Sequence, residues 1–444
     1  GGRGARYLRW YSTLSPAHEG FTRCPGHVGR QDSPKSIVTT SRSLCLGPDL
    51  DGKFLVAEGD RVARFDAEIE MSGSERPTLD CAAARIEPGR VNAHTHIYSG
   101  LAPLGMPEPE DAPENFLQIL ERIWWRLDRA LDEDSLRASA RYYVAQALLA
   151  GTTTLIDHHE SPDLIEGSLD ILADVCEEIG MRALLCFGAT ERNGGPSEAQ
   201  RGLEECRRFH RANERRLVRS VVGLHASFTV SDETLEAAAD LCRELETVMH
   251  VHVAEDLADV RDAVERGFEG PFERLDHFGA LPAGSILAHC VHCQAAQVRA
   301  IAAGDQWIVQ NPRSNRGNAV GYPAALGESD RVAVGTDGYP ACMEDEVRVL
   351  RAEAAEHGEA PSVVEARARG GVRLGAERFE LPLAPLTPGG AADFIVRDND
   401  RVRHVGVAGR LVVRDGRLLT ADLEEIHAHA TEQATRLWDR MSSV

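Results

Sequence analysis

Between residues 90 and 338 the chain passes eight times from a short apolar, β-rich run to a longer helical stretch, and this alternation limits the possible folds more than any other feature. The runs are RVNAHTH (90–96), TTTLIDHH (152–159), RALLCFGAT (182–190), VRSVVGLHA (218–226), VMHVHVAE (248–255), SILAHCV (285–291), QWIVQNP (306–312) and VAVGTDG (332–338). The segments between them, such as SDETLEAAADLCREL, repeat apolar residues at the period of an amphipathic helix. Eight βα units in about 290 residues predict an α/β fold of the TIM type, a (β/α)8 barrel with its site at the C-terminal ends of the strands. A doubly wound sheet alternates in the same way. Against it, no GxGxxG or P-loop follows an early strand.

Both flanks of the barrel read differently. SIVTTSRSLCL and KFLVAEGDRVARF precede it, and AADFIVRDNDRVRHVGVAGRLVVRDGRLL (391–419) follows it, all with β-rich runs parted by turn signals. The alternation in 391–419 needs a partner face, and a hairpin alone is marginal. Residues 391–419 are therefore predicted to close on 36–68 as one small β-sandwich built from both termini. The expected division is a flexible tail over 1–34, sandwich over 35–87, catalytic barrel over 88–382, sandwich again over 383–420, and a C-terminal helix over 421–444. The tail is rich in Arg and Gly, lacks the apolar centre of a secretory signal, and is assigned no function.

A net charge of −21 argues against nucleic acid and anionic membrane surfaces as partners. No run of eighteen apolar residues is present to span a bilayer. Ten cysteines are scattered, several inside apolar runs, as at Cys186 and Cys290. That pattern fits buried thiols in a reducing compartment, the cytoplasm, rather than a disulfide framework. CVHC at 290–293 has zinc-knuckle spacing but no second CxxC to pair with.

Polar residues gather at the strand ends. His94 and His96 share a face, because residues i and i+2 of a strand point the same way. The fifth run ends in His250, His252 and Glu255, the sixth carries His289, and the eighth ends at Asp337. A strand-end histidine alone is more often a satisfied polar group than a ligand. Imidazoles and a carboxylate converging from four strand ends of one barrel suit zinc or ferrous iron, with a position left for water.

In order, PGRVNAHTH, GTTTLIDHH, GLHASFTVSDETL, HVHVAEDLADV, ILAHCVH, NPRSN and VGTDG resemble the motifs of the amidohydrolase superfamily. The resemblance covers residues 50 to 440 and falls in the cytosine-deaminase-like and chlorohydrolase (ATZ/TRZ) branch. ENFLQILERIWWRLDRALDEDSL and DHHESP look most like the SsnA-like aminohydrolases. The resemblance implies metal ligands at His94, His96, His252 and Asp337, a water or substrate contact at His289, and a proton shuttle at Glu255. It implies hydrolytic deamination of an aminated N-heterocycle (purine, pyrimidine, pterin or triazine) with release of ammonia. Dehalogenation, opening of a cyclic amide, or a non-catalytic scaffold are the alternatives. Dinuclear members bridge two ions through a carboxylated lysine on a barrel strand. The only lysines here, Lys35 and Lys53, precede the barrel, so one divalent ion per chain is expected, zinc ahead of ferrous iron. A small-molecule substrate and a homodimer complete the expectation.

Other residues are weaker candidates for substrate binding. His225 closes the fourth strand and is expected to face the pocket. His159 is one of three polar residues ending the second strand, of which alternation lets only some face inward. Asn311, Ser314 and Asn315, with Arg313, follow the seventh strand as a possible substrate clamp, a solvated loop being the alternative. LGMPEPEDAPEN (104–115) is read as a lid or specificity loop. Trp124 and Trp125 share an amphipathic helix with Phe116, Leu120, Ile123 and Leu127, and are read as core or interface rather than as a stacking platform.

Overall fold

The eight apolar runs are buried almost throughout, as parallel strands covered on both faces must be. The computed structural model, which describes residues 43–67 and 79–444, closes them into one barrel. Ahead of the barrel lie β1 (Ser43–Leu46), β2 (Phe54–Glu58), β3 (Arg61–Asp66) and β4 (Arg85–Pro88). The barrel strands are β5 (Arg90–Thr95), β6 (Thr152–Asp157), β7 (Arg182–Leu185), β8 (Gly188–Ala189), β9 (Val218–Ser220), β10 (Val222–Ala226), β11 (Met249–Val253), β12 (Ile286–His289), β13 (Trp307–Gln310) and β14 (Val332–Val334). Behind it come β15 (Phe394–Asp398), β16 (Arg401–Val407), β17 (Arg410–Arg414) and β18 (Arg417–Leu418).

Pairing around the barrel is parallel, in the orders β5-β6-β7-β9 and β8-β10-β11-β12-β13-β14. The third and fourth runs, each expected as one strand, are broken into β7 and β8 and into β9 and β10. At the break Gly223 passes so close to Phe187 that a Cβ would stand 2.4 Å from the Phe187 carbonyl oxygen. The ring closes between β5 and the end of β14. Asp337 N–H donates to the His94 carbonyl at 3.0 Å, and His96 N–H donates to the Asp337 carbonyl at 3.3 Å. Trp307, wholly buried at the start of β13, fills the opposite end of the barrel among Ile286, Val309 and Leu374.

The flanking strands form a three-stranded sheet, β1-β2-β3, and a five-stranded one, β18-β17-β16-β15-β4. Leu46, Leu55 and Val62 of the first share one apolar core with Ile86, Phe394 and Val396 of the second. Backbone bonds from Val62 N–H to the Gly390 carbonyl and from Ala392 N–H to the Asp60 carbonyl, both 2.9 Å, join them. The helix Leu423–Met441 packs on the barrel helix Glu133–Leu149. Lys53 is exposed in this small domain, while Lys35 and the tail over 1–34 lie outside the described residues. Among the described residues eight cysteines are free thiols, all but Cys45 buried. Among the described residues no helix is long and apolar enough to cross a membrane.

Closure depends on a glycine. A Cβ on Gly335 would stand 2.5 Å from the carbonyl oxygen and 2.6 Å from the amide nitrogen of His94. Gly335→Ala must therefore force β14 off β5, and overpacking of this kind costs about 1–3 kcal/mol. Thermal or denaturant unfolding should show the loss, and an unchanged transition would contradict the close approach of these strands.

Candidate active site

Three of the strands that feed the barrel mouth end in backbone that non-glycine residues rarely adopt. φ is 48° at Ala254 after β11, 74° at His289 and 50° at Cys290 at the end of β12, and 54° at Asp337 after β14. Each such residue costs on the order of 1–2 kcal/mol, and such strain persists where a site needs the geometry. Here it turns the chain sharply as it leaves the barrel, where Glu255, His289 and Asp337 meet. One ligand atom from each of these three lies within 4.8 Å of the others.

His94, His96, His252 and Asp337 form the second such group, again with their ligand atoms within 4.8 Å of one another. Asp337 Oδ1 lies 2.9 Å from His96 Nε2 and 3.3 Å from His94 Nε2, and His252 Nε2 is 3.3 Å from His96 Nε2. The remote ring nitrogens fix how the imidazoles present themselves. His96 Nδ1 donates to the His158 carbonyl at 2.6 Å, and His252 Nδ1 donates to the His225 carbonyl at 2.7 Å. The Nε2 atoms of both rings thereby face the common point, the arrangement that orients metal-ligating histidines. His94 is held through Nδ1, 2.9 Å from His250 Nε2, and its own Nε2 is buried without a hydrogen-bond partner. Three imidazole nitrogens and one carboxylate in a buried nest are a donor set for a divalent metal ion, and the orphaned His94 nitrogen fits that use.

Charge in the nest is strongly perturbed. Burial opposes protonation of His96, but the hydrogen bond and charge of Asp337 outweigh it and lift its pKa to about 9. His94, where burial dominates, falls to about 3. Burial alone would raise Asp337, yet its hydrogen bonds with His94 and His96 hold it well below the carboxylate range. Glu255 moves the other way. Burial, then the charge of Asp337, push it well above the usual range, so this carboxyl tends to keep a proton. Its Oε2 is 3.5 Å from His289 Nε2, and its Oε1 accepts from Asn318 Nδ2 at 3.3 Å.

The residues after the seventh strand, expected as a substrate clamp, reach Asp337 and His289 instead of the pocket. Ser314 Oγ donates to Asp337 Oδ2, His289 Nδ1 donates to Asn315 Oδ1 at 2.8 Å, and Asn311 Nδ2 lies 3.3 Å from His289 Nε2. All three are buried behind the ligands and none lines the pocket. The reason is the short helix Pro312–Gly317, which turns Ser314 and Asn315 inward and leaves Asn318, at its end, facing the pocket. Arg313 anchors that helix through Glu346 and the Pro340 carbonyl. His159 also turns away. It continues the parallel ladder beside Phe187, and its Nε2 pairs with Ser161 Oγ at 2.8 Å. The next residue, Glu160, lines the pocket instead, as does His225.

The walls of the pocket are aromatic, with Tyr98, Phe116, Trp124, Trp125 and Phe228. Both tryptophans line it while packing, half-buried, against the apolar cluster of Phe116, Leu120, Val291 and Val320. Between Phe116–Ile119 and Trp125–Ala130 the helix widens into one π-turn, Leu120–Trp124, closed by Trp125 N–H on the Leu120 carbonyl. Such a bulge shifts the helical register, and bulges of this kind are frequent at functional sites.

Known proteins resemble the chain over most of its length. The 5'-deoxyadenosine deaminase of Methanopyrus kandleri is 28% identical over 427 residues, covering 87% of this chain and 95% of its own. The 5-methylthioadenosine/S-adenosylhomocysteine deaminase 2 of Archaeoglobus fulgidus is 27% identical over 435 residues, covering 89% of this chain and 97% of its own. Among solved structures, an adenosine deaminase from Xanthomonas campestris with bound zinc superposes with a TM-score of 0.75 at 20% identity, over 90% of this chain and 98% of that one, a likeness of fold. The model of the amidohydrolase family matches residues 85–412, most of the chain, and the chain therefore belongs to that family.

Proposed function

We infer that the protein is a metal-dependent hydrolase that deaminates an aminated N-heterocycle, with His94, His96, His252 and Asp337 holding one zinc ion per chain. The observation that carries this reading is the pairing of the nest with Glu255, a partly buried carboxyl 3.5 Å from His289 that opens onto an aromatic-walled pocket. The deaminase names of the relatives support the reaction, and the zinc in the Xanthomonas campestris structure supports the metal. An ion in this nest supplies Lewis acidity, bringing the pKa of water from 15.7 to roughly 7.

The chain's own groups supply the rest. The walls hold a flat ring against the mouth of the barrel, and His289, fixed through Nδ1 by Asn315, keeps Nε2 turned toward the reacting centre. Asp337 takes a proton from the attacking water. Glu255 gives its proton to the ring nitrogen beside the carbon under attack, takes up the one Asp337 removed from water, hands it to the amine, and recovers the last proton from the new hydroxyl as the C–N bond breaks and the carbonyl forms. The water oxygen bonds to carbon, the C–N bond breaks, and ammonia leaves. Chloride needs no such proton, so Glu255 favours deamination over dehalogenation. A non-catalytic scaffold has no use for the full ligand set.

Three measurements test the reading. Chelation should remove one equivalent of metal and abolish ammonia release, and added zinc should restore it; full turnover in metal-free protein would end the proposal. Glu255→Gln should keep the metal and lose roughly 10² to 10⁴-fold in turnover, whereas His94→Ala should lose the metal itself. Metal loss in the Gln variant would make Glu255 a ligand instead of a shuttle. Ser314→Ala should weaken metal binding by about 10 to 100-fold, the usual effect of removing a group that orients a ligand, as read by competition with a chromogenic chelator. Undiminished affinity would show that Asp337 does not need its hydroxyl partner.

A further inference from the structure

Five carboxylates line the pocket, Glu160, Glu255, Asp256, Asp259 and Asp337, and no arginine or lysine among the described residues joins them. Glu255 and Asp337 have roles in the proposed reaction. Asp256 caps the helix Leu257–Glu265, and Asp259 accepts from Ala254 N–H at 2.8 Å. Glu160 has no such task, although it is only 3% exposed.

Its two oxygens face different surroundings. Oε2 accepts from Arg192 Nη2 at 2.8 Å, and the same nitrogen donates to Asp128 Oδ2 at 2.8 Å. The guanidinium lies 4.9 Å from the centre of the Trp125 ring. Arg192 is thus fixed on three sides and holds Oε2 as its acceptor, leaving Oε1 toward the pocket. Oε1 stands 3.4 Å from His158 Nδ1 and 3.9 Å from His225 Nε2. Neither contact makes a hydrogen bond to it. His158 Nε2 donates to the Leu224 carbonyl at 2.9 Å, and its Nδ1 has no hydrogen-bond partner. Thr229 Oγ1 donates to the Ala226 carbonyl at 3.0 Å and so accepts from His225 Nδ1 at 2.9 Å, which leaves the lone pair of His225 on Nε2. This side of the pocket offers a carboxylate oxygen to which no hydrogen bond is made among the described residues. A buried acceptor left without a donor is costly, so a ligand that brings an N–H is favoured there.

We propose that Glu160 selects the substrate, accepting a hydrogen bond from an N–H other than that of the departing amine. The inference rests on the deaminase reading and narrows it. The substrate is a flat heterocycle with a second donor, either a ring N–H or a second amino group, and it carries neither phosphate nor carboxylate. The second strand, which Glu160 follows, stands opposite the sixth in an eight-stranded ring, and the sixth bears His289 beside Glu255.

Glu160→Gln is the informative change. Arg192 holds the amide oxygen where Oε2 was and turns the amide NH2 into the pocket, so an acceptor becomes a donor. The probes are pairs that differ in one donor: guanine with 9-methylguanine, 2,6-diaminopurine with adenine, and cytosine with 1-methylcytosine, together with guanosine and adenosine 5'-monophosphates. Binding is read by calorimetry, with ammonia release and metal content measured on the same samples. The native protein should prefer the donor-bearing member of at least one pair by roughly 10 to 100-fold, and bind neither monophosphate more tightly than its base. Glu160→Gln should abolish or reverse that preference with metal content unchanged. No preference in any pair, a preference that survives in the variant, or tighter binding of a monophosphate would overturn the proposal. A preference that reverses while no probe releases ammonia would uphold it and overturn the deaminase reading. Ammonia release with the preference intact in the variant would do the opposite.

Discussion

The seam between the first and last barrel strands is the interaction on which the site depends. Closing the ring requires β14 to pair with β5, and the residues that make the final backbone bonds are His94, His96 and Asp337, three of the four members of the nest. The seam is reinforced one step below the site, where Asn92 Nδ2 donates to Thr336 Oγ1 at 2.8 Å and Thr336 N–H donates to Asn92 Oδ1 at 3.0 Å. Gly335 allows the approach because it has no Cβ to separate the strands. Fold closure and ligand placement are therefore one geometric event, and the nest cannot be misaligned without also opening the barrel.

A second layer holds the polar groups that surround the nest. Ser314, Asn315 and Asn318 reach Asp337, His289 and Glu255 from a single short helix. That helix is too short to be stable alone. It is pinned by Arg313, whose backbone N–H and guanidinium both bond to Glu346, with both side chains almost fully buried. A buried ion pair contributes little net stability, because desolvation offsets the attraction, yet breaking one partner leaves an uncompensated charge. Its value here is positional, since it sets the register of three hydrogen-bonding side chains with one anchor.

The sequence was most legible where period and geometry coincide. Alternation placed His94 and His96 on one face, and eight repeats of strand and helix placed their strand ends at one mouth. It was least legible just beyond the strands. His159 and Glu160 exchange places because the ladder beside Phe187 continues through His159, and nothing local marks where pairing stops. Trp124 and Trp125 depart from the amphipathic pattern because a π-turn changes the helical register. The Asp128–Arg192–Glu160 network joins three segments far apart in the chain, each of which alone reads as an ordinary charged residue. Asn311, Ser314 and Asn315 were legible as polar residues near the site, but their assignment to ligands instead of substrate depends on a helix only six residues long.

These placements divide the site into two parts with different freedom to change. The chemical part, on the first, fifth, sixth and eighth strands, is tied into the barrel by backbone bonds and strained strand ends. A change there alters closure as well as reactivity. The recognition part lies elsewhere. Glu160 and Arg192 stand on the segments after the second and third strands, and the aromatic wall comes from the π-bulged helix that follows the first. Its contacts are between side chains. Replacing one of them re-forms the pocket without moving a nest ligand, as long as buried charges are exchanged together, because an unpaired Arg192 or Asp128 in this interior would cost several kcal/mol. Divergence of substrate on a fixed deaminating centre is then expected to run through coordinated changes at Asp128, Glu160 and Arg192, since each holds the others' charge and only Glu160 meets the ligand.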